Sequence, residues 1–343
     1  MYKDFRSDTV TQATPAMRQA MMDAEVGDDI LGEDPTVNRL EKMAADLFGK
    51  EAALFVVSGT MANQIAIMVL TQLGDEIIVG EEAHLYNLEV GGIAALSGVQ
   101  ARPVKSQMGR FDPRDIKKAI RPKGIQAPVT RVLCLENTYD LNTGFPLPPD
   151  YIGEMAAIAR EHGMAVYLDG ARIFNAAEAL KVSLRTLTAE VDALQFCLTK
   201  GLAAPFGSML VGSREFIDKA RWIKQRIGGG MRQAGHMAAA GIVALETMIE
   251  RISEDHDNAR RLAEGLAQID ERLVDLDKVK TNIVQLEFGP FGKDALFMTE
   301  ALARKQIKVK PIGETACRMI THFGLEAGDV EEAVQAIREI LKS

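Results

Sequence analysis

One lysine stands directly after an apolar run that is typical of a buried strand. Lys200 follows the run from Ala193 to Leu198 and precedes a loop of small residues, Gly201 to Gly207. Open α/β sheets bind ligands at the carboxyl ends of their strands, so a lysine there is placed to contact a ligand. Partial burial favours the free amine, which can condense with an aldehyde. Taken alone, however, Lys200 is more readily a lysine that lies over a strand end with its ammonium in water.

A small-residue turn follows the apolar segment Ala52 to Val57. It consists of Ser58, Gly59 and Thr60, and the sequence after it predicts a helix that continues to Leu73. A strand, a tight turn and a helix N-terminus bring free backbone N–H groups and the positive helix end together, which suits a phosphate. The alternative is an ordinary helix cap by Ser58 or Thr60.

Two further groups follow predicted strands. His84 comes after the strand near Ile77 to Val79, and Asp169 closes the strand from Met164 to Leu168. Pyridoxal phosphate needs a lysine for its aldehyde, a helix N-terminus for its phosphate, a stacking partner for its ring and a carboxylate for its pyridinium nitrogen. The chain offers one of each, so we predict this cofactor with Lys200 as its covalent anchor.

The elements that position these residues alternate between strand and helix from about residue 50 to 200. Such alternation predicts an α/β fold with a mostly parallel sheet that helices cover on both faces. We expect an N-terminal arm over residues 1–35 that contributes to subunit contacts and to the site. A large cofactor-binding α/β domain over 36–250 and a small C-terminal α+β domain over 251–343 complete the predicted organisation.

Composition narrows the function. The 343 residues are 47% hydrophobic and carry a formal net charge of -8, which disfavours a nucleic-acid or anionic-membrane surface. The first residues contain no apolar segment of signal-peptide length, and no apolar run reaches membrane-spanning length, so we expect a cytoplasmic protein. The three cysteines are far apart in apolar sequence, which predicts neither disulfides nor a metal site.

Several segments, taken together and in order, resemble the low-specificity L-threonine aldolases, which are fold type I pyridoxal phosphate enzymes. The resemblance covers nearly the whole chain. The matching segments are Phe5-Arg6-Ser7-Asp8-Thr9-Val10-Thr11, Gly27-Asp28-Asp29, Gly32-Glu33-Asp34-Pro35-Thr36, Phe48-Gly49-Lys50-Glu51-Ala52-Ala53-Leu54-Phe55, Ser58-Gly59-Thr60-Met61-Ala62-Asn63-Gln64, Asp169-Gly170-Ala171-Arg172-Ile173-Phe174-Asn175, Lys200-Gly201-Leu202 and Gly228-Gly229-Gly230-Met231-Arg232-Gln233-Ala234-Gly235.

The resemblance implies a role for each matching position. It implies a seven-stranded sheet, Lys200 as the cofactor lysine, Asp169 on the pyridine nitrogen and His84 on the ring. Ser58, Gly59 and Thr60 would hold the phosphate with Arg172 nearby, and Arg232 would reach it from a neighbouring subunit. Ser7, Arg172 and Arg318 match the positions that bind the substrate carboxylate. Sites shared in this way imply a dimer at least, and more readily a homotetramer.

The sequence departs from the family at two positions. Where these aldolases usually carry a second histidine after Glu-Asn-Thr, this chain has Tyr139, and Leu31 replaces a tyrosine of the Gly-Asp-Asp loop. We therefore assign Tyr139 to the catalytic set and both residues to the substrate pocket, which Leu31 makes more apolar. The base for the substrate hydroxyl is left open among His84, Tyr139 and a bound water.

The expected reaction is reversible cleavage of L-threonine or L-allo-threonine to glycine and acetaldehyde. The alternative on the same scaffold is a β-eliminating lyase, or an aldolase for bulkier β-hydroxy amino acids. From other classes, a ligand-binding protein or a dinucleotide-dependent oxidoreductase stays open, although no Gly-x-Gly-x-x-Gly turn follows the first predicted strand of the α/β region.

Overall fold

A computed structural model describes residues 2–342 of the chain. Met1 and Ser343, which belong to the predicted arm and the predicted small domain, lie outside the described residues. The described strands are β1 (Lys3–Asp4), β2 (Ala52–Val56), β3 (Glu76–Gly80), β4 (Gln100–Val104), β5 (Thr130–Glu136), β6 (Ala165–Asp169), β7 (Ala193–Cys197), β8 (Ser208–Gly212), β9 (Ile283–Glu287), β10 (Ile307–Lys308), β11 (Lys310–Pro311) and β12 (Ala316–Ile320).

The α-helices alternate with these strands through most of the chain. They are α1 (Pro15–Asp23), α2 (Pro35–Phe48), α3 (Gly59–Leu70), α4 (His84–Asn87), α5 (Gly92–Ser97), α6 (Pro113–Ala119), α7 (Pro149–Glu161), α8 (Ile173–Leu180), α9 (Leu184–Leu187), α10 (Arg214–Arg226), α11 (Gly235–Thr247), α12 (Ile252–Ala267), α13 (Ala295–Arg304) and α14 (Ala327–Lys342). None of these helices combines the length and low polarity that a membrane span requires.

Seven strands form the central sheet in the order β2-β8-β7-β6-β5-β3-β4. Neighbouring strands from β4 to β7 pair in parallel, whereas β8 is antiparallel to both β7 and β2. The predicted α/β class with a mostly parallel seven-stranded sheet is therefore confirmed. The connection from β7 to β8 spans only residues 198–207, which is too short for the crossover that a parallel pairing would need.

Apolar side chains cover both faces of this sheet. Within β2, Ala53 and Phe55 face one core, and Leu54 and Val56 face the other, since successive side chains of a strand point to opposite faces. Strands buried on both faces must be apolar throughout, which is why they are visible in the sequence as continuous apolar runs. The two covered faces leave the strand ends as the place for a ligand.

A third core holds the C-terminal part of the chain together. Its buried residues come from positions 259–340, with Phe5 from the N-terminal segment. There, β9, β12 and β11 form an antiparallel sheet, and β1 pairs in parallel with β10. The N-terminal segment is thus tied to the C-terminal core of its own chain. The domain boundaries at residues 36–250 and 251–343 stay a prediction.

Candidate active site

A cavity of about 670 Å³ lies at the carboxyl ends of β5, β6 and β7. It is bounded on one side by the start of α3 and on the other by the N-terminal segment and β12. Eight of the predicted site residues line it: Ser7, Gly59, Thr60, His84, Asp169, Arg172, Lys200 and Arg318. The structure therefore brings most of the predicted site residues together in one cavity.

Lys200 lies three residues beyond the end of β7, in a turn that the chain closes with backbone hydrogen bonds. The N–H of Leu198 donates to the oxygen of Gly207, and that of Ala203 to the oxygen of Lys200. Thr11 of the N-terminal segment also contacts this turn through the oxygen of Lys200, 3.3 Å away. Within residues 2–342 the Lys200 ammonium has no hydrogen-bond partner, so its Nζ is free for a ligand.

Asp169, at the end of β6, is held by three N–H donors. The side-chain amides of Asn63 and Gln195 lie 2.7 and 2.5 Å from its two oxygens, and the backbone N–H of Ala171 donates over 3.0 Å. These three donors fix the position and rotation of the Asp169 carboxyl group beside the cavity.

The turn before α3 forms an anion cradle. Ser58 is the N-cap, and its Oγ accepts from the backbone N–H of Met61 at 3.1 Å. The N–H groups of Gly59 and Thr60 begin the helix, where no intrahelical acceptor exists for them. A side chain at Gly59 would fill this space, because a Cβ there would lie 3.0 Å from Cys197 Sγ and 3.4 Å from the amide of Gln195.

Arg172 and Arg318, two of the three arginines that line the cavity, differ in their charge partners. Arg172 donates from Nε and Nη2 to the two oxygens of Asp8, each at 2.7 Å. Although burial opposes it, the charge and hydrogen bonds of Arg172 hold the pKa of Asp8 well below its usual range. This buried pair fixes the guanidinium plane of Arg172 and neutralises its charge from within the chain. Ser7 lies beside it, caps the short turn after itself and accepts from the N–H of Thr9.

Arg318 has no such carboxylate. Its side chain is buried, and its Nη groups donate to the backbone oxygens of Leu141 and Arg6 over 2.5 and 2.8 Å. Its Nε is buried without any hydrogen-bond partner among the described residues. Burial, and then the charge of Arg172, lower the pKa of Arg318 to about 10, so the group stays cationic near neutral pH. A buried cation with an unpaired donor is suited to contact an anion.

Comparison with known proteins agrees with this geometry. A family model described as beta-eliminating lyase matches residues 4–288. The low-specificity L-threonine aldolase of Escherichia coli (strain K12) is 42% identical, with 98% of this chain and 99% of that protein covered. Low-specificity L-threonine aldolase 1 of Arabidopsis thaliana is 41% identical over 98% of this chain and 96% of its own length. This chain belongs to the low-specificity L-threonine aldolase family.

Solved structures extend the likeness to the fold. A threonine aldolase from Leishmania major superposes with a TM-score of 0.85 at 18% sequence identity, covering 99% of each chain. At that identity the match concerns the fold, and it confirms the fold type I architecture inferred from the sequence. The family of this chain comprises pyridoxal phosphate enzymes.

Tyr139 does not line the cavity of this threonine aldolase homologue. Its hydroxyl donates to Glu82 Oε2 over 2.8 Å and accepts from the Glu82 N–H, and its ring packs directly beneath Gly80 and Gly109. Burial raises the pKa of Tyr139 well above its ordinary value. The side chain is thus engaged elsewhere, and the structure gives no geometric support to its predicted place in the catalytic and substrate-binding sets.

Leu31 and Arg232 also lie outside the cavity of the single chain. Leu31 is 66% exposed, and the Arg232 side chain is 60% exposed and pairs with Asp28 at 2.6 Å. From the sequence, both are expected to serve a neighbouring subunit's site. Their exposure leaves them free to do so, and their roles stay predictions.

The structure adds residues that sequence reasoning did not assign. Glu136 lines the cavity from the end of β5, in register with Asp169, and accepts from the backbone N–H of His84 over 2.7 Å. Thr138 Oγ1 is buried there without a partner among the described residues. The sequence carries a signal for both, because Glu136 ends a strong apolar strand and Thr138 comes soon after it. The pairing of Asp8 with Arg172 carried no local signal.

His84, Glu89 and Asp169 are close enough together to hold a cation. The two carboxylates, however, already accept hydrogen bonds from the amide of Asn63, at 2.6 Å to Glu89 and 2.7 Å to Asp169. A cation among them would have to displace those donors. Both carboxylates are thus already engaged within the chain.

Proposed function

We propose that this chain catalyses the reversible, pyridoxal phosphate-dependent cleavage of L-threonine and L-allo-threonine to glycine and acetaldehyde. The observation that carries the proposal is the convergence of Lys200, Asp169 and the N-terminus of α3 on one cavity. Relatives about 42% identical over nearly the whole chain carry the name of this activity.

The residues present fit the cofactor. The unpaired Nζ of Lys200 would anchor it, Asp169 would pair with its ring nitrogen, and the glycine-lined cradle at Gly59 and Thr60 would take its phosphate. His84 would cover the ring, and Arg172 would contribute its guanidinium edge. When bound, the cofactor supplies an electron sink that stabilises negative charge on the substrate Cα.

The substrate carboxylate is assigned to Arg318, with Arg172 and Ser7. The unpaired Nε of Arg318 supports this assignment, because an incoming carboxylate would both neutralise the cation and satisfy the donor. A carboxylate held at this wall fixes the rotation of the substrate about Cα. That rotation selects which bond at Cα is broken, so the clamp directs the chemistry toward the Cα–Cβ bond.

We also propose that the active form is an oligomer, a dimer at least and more readily a homotetramer with closed symmetry. The exposed Arg232 and Leu31 support a site completed by a neighbouring subunit. Replacement of Arg232 by alanine should weaken cofactor affinity while sedimentation shows the same assembly. A fully active monomer would contradict the shared site. A cytoplasmic location and the division at residues 36–250 and 251–343 stay predictions.

The function is tested by loading the protein with pyridoxal phosphate and supplying L-threonine, L-allo-threonine, L-serine and β-phenylserine in parallel. We expect a yellow protein, fixation of the colour to Lys200 by borohydride, and glycine plus an aldehyde as products. Pyruvate and ammonia would instead show β-elimination, and preference for β-phenylserine would show an aldolase for bulkier substrates. The matched control is Lys200→Ala, which should retain the fold but no longer fix the cofactor.

A further inference from the structure

The imidazole of His84 is paired with a buried carboxylate. Glu89 lies just beyond α4, its side chain is fully buried, and its Oε1 is 3.0 Å from His84 Nδ1. The His84 side chain itself is one third exposed and lines the cavity. A histidine held by a carboxylate at one nitrogen and open at the other is the arrangement of an oriented base.

Two amides keep Glu89 an acceptor. Asn63 Nδ2 donates to Glu89 Oε1 over 2.6 Å, and Gln64 Nε2 donates to Oε2 over 2.6 Å. A carboxylate that already accepts from two side-chain amides has only acceptor capacity to offer a third partner. The proton between Glu89 and His84 therefore belongs to the imidazole, at Nδ1.

The main chain of His84 is fixed independently. Its backbone N–H donates to Glu136 Oε2 over 2.7 Å, which anchors the first residue of α4 to the end of β5. With the backbone held by Glu136 and Nδ1 by Glu89, both the position and the rotation of the ring are determined. Nε2 has no hydrogen-bond partner within residues 2–342, so it is the ring nitrogen left to accept a proton.

We infer that Glu89 is a positioning residue that holds His84 in the Nδ1–H tautomer, so that His84 Nε2 is the base for the β-hydroxyl of the substrate. The inference rests on the proposed function. In this step the substrate O–H bond breaks and its proton passes to Nε2. The O–H electron pair forms the aldehyde C=O bond, while the Cα–Cβ bond breaks and leaves its pair with Cα. Glu89 then stabilises the imidazolium, and one proton returned to Cα completes glycine.

Asn63 separates this pair from the cofactor carboxylate. Its amide donates to both Glu89 and Asp169, and its oxygen accepts from Tyr167 over 2.7 Å. An amide bridge can hold two carboxylates apart without passing a proton between them. The roles of Glu89 and Asp169 are therefore distinct, the first directed at His84 and the second at the cofactor nitrogen.

The test replaces Glu89 with glutamine, which keeps the shape but offers an N–H where His84 now donates. The first readout is 15N NMR of the cofactor-loaded, histidine-labelled protein, in which five histidines contribute and subtraction of a His84→Phe spectrum identifies His84. We expect the Nδ1–H tautomer in the wild type and the Nε2–H tautomer in Glu89→Gln. A wild-type His84 protonated at Nε2, or at both nitrogens, at the pH of the activity assay overturns the inference.

The second readout is kinetic. Loss of the oriented base should lower kcat for L-threonine about 10²- to 10⁴-fold, with KM changed much less and borohydride still fixing the cofactor to Lys200. The matched control is Glu76→Gln, whose carboxylate is equally buried and pairs with Arg121. It should lower the melting temperature and keep kcat.

Unchanged kcat in Glu89→Gln would refute the inference even with the proposed function intact. If the wild type releases no aldehyde, the proposed function fails instead, whereas the tautomer measurement still decides the role of Glu89.

Discussion

Replacement of Arg318 by methionine tests whether the unpaired buried cation binds the substrate carboxylate. Methionine keeps much of the volume of the side chain but removes every donor. Three arginines line the cavity. Arg6 pairs with Asp4 and Arg172 with Asp8, so Arg318 is the one without a carboxylate partner among the described residues. The variant should therefore bind amino acids more weakly.

The size of the effect follows from the contact that is lost. A hydrogen bond to a charged group contributes about 1.5–3 kcal/mol, which corresponds to a rise in KM of about 10- to 150-fold for one such bond. The fold will also be less stable, because the oxygens of Leu141 and Arg6 lose their donor. Each unpaired buried carbonyl costs about 1–3 kcal/mol, so unfolding must be measured beside activity.

The assay couples acetaldehyde to alcohol dehydrogenase and follows the oxidation of NADH. Competitive inhibition distinguishes loss of the carboxylate contact from general damage to the site, because glycine carries a carboxylate and glycinamide does not. In Arg318→Met the inhibition constant of glycine should rise with KM, while that of glycinamide should stay near its wild-type value. If both inhibitors weaken equally, or if KM is unchanged, Arg318 does not bind the carboxylate.

Three further substitutions test other parts of the structure. Tyr139→Phe should keep kcat and lower the free energy of unfolding by about 1 kcal/mol, because the hydroxyl binds Glu82. A large loss of kcat would show that Tyr139 takes part in the reaction. Gly59→Ala should reduce cofactor affinity in a titration, since its Cβ would crowd Cys197. Adding Cys197→Ala should restore part of that affinity. Unchanged affinity in Gly59→Ala would show that the phosphate does not bind at this turn. Burial lowers the pKa of His256 to about 4, so the wild type should lose stability as the pH falls from about 6.5 to 4, by at most about 3 kcal/mol. His256→Gln should lack this loss in urea unfolding at both ends of that range, and an identical loss would disprove the assignment.

The central sheet was predictable because its strands are buried on both faces. Asp169 and Lys200 could be placed at strand ends for the same reason, since each apolar run stops beside them. Helix α10 was not predicted, because its segment is strongly charged and buries only a narrow stripe that includes Phe216, Ala220 and Ile223. A sequence with so short an apolar stripe is easily mistaken for a loop.

Contacts between distant segments were less accessible to sequence reasoning. Asp8 and Arg172 are 164 residues apart and meet only when the N-terminal segment pairs with β10. Glu89 is close to His84 in sequence, but its direction depends on the turn between α4 and α5. The residues proposed to contact the ligand follow strands, which the hydrophobic pattern predicts. The residues that orient them lie in turns, and the hydrophobic pattern does not specify the geometry of a turn.

The position of Tyr139 narrows the search for the base. Its hydroxyl is bound to Glu82 and Tyr139 does not line the cavity, so His84 and a bound water are left of the three candidates for the base. Glu136 also lines the cavity, but burial and then the charge of Asp169 raise its pKa well above the usual range. Its Oε2 also already accepts from the backbone N–H of His84. His84 is held at Nδ1 by Glu89 and lines the cavity. We therefore expect the proton transfer to fall on His84 in this chain, where Tyr139 replaces the family's second histidine.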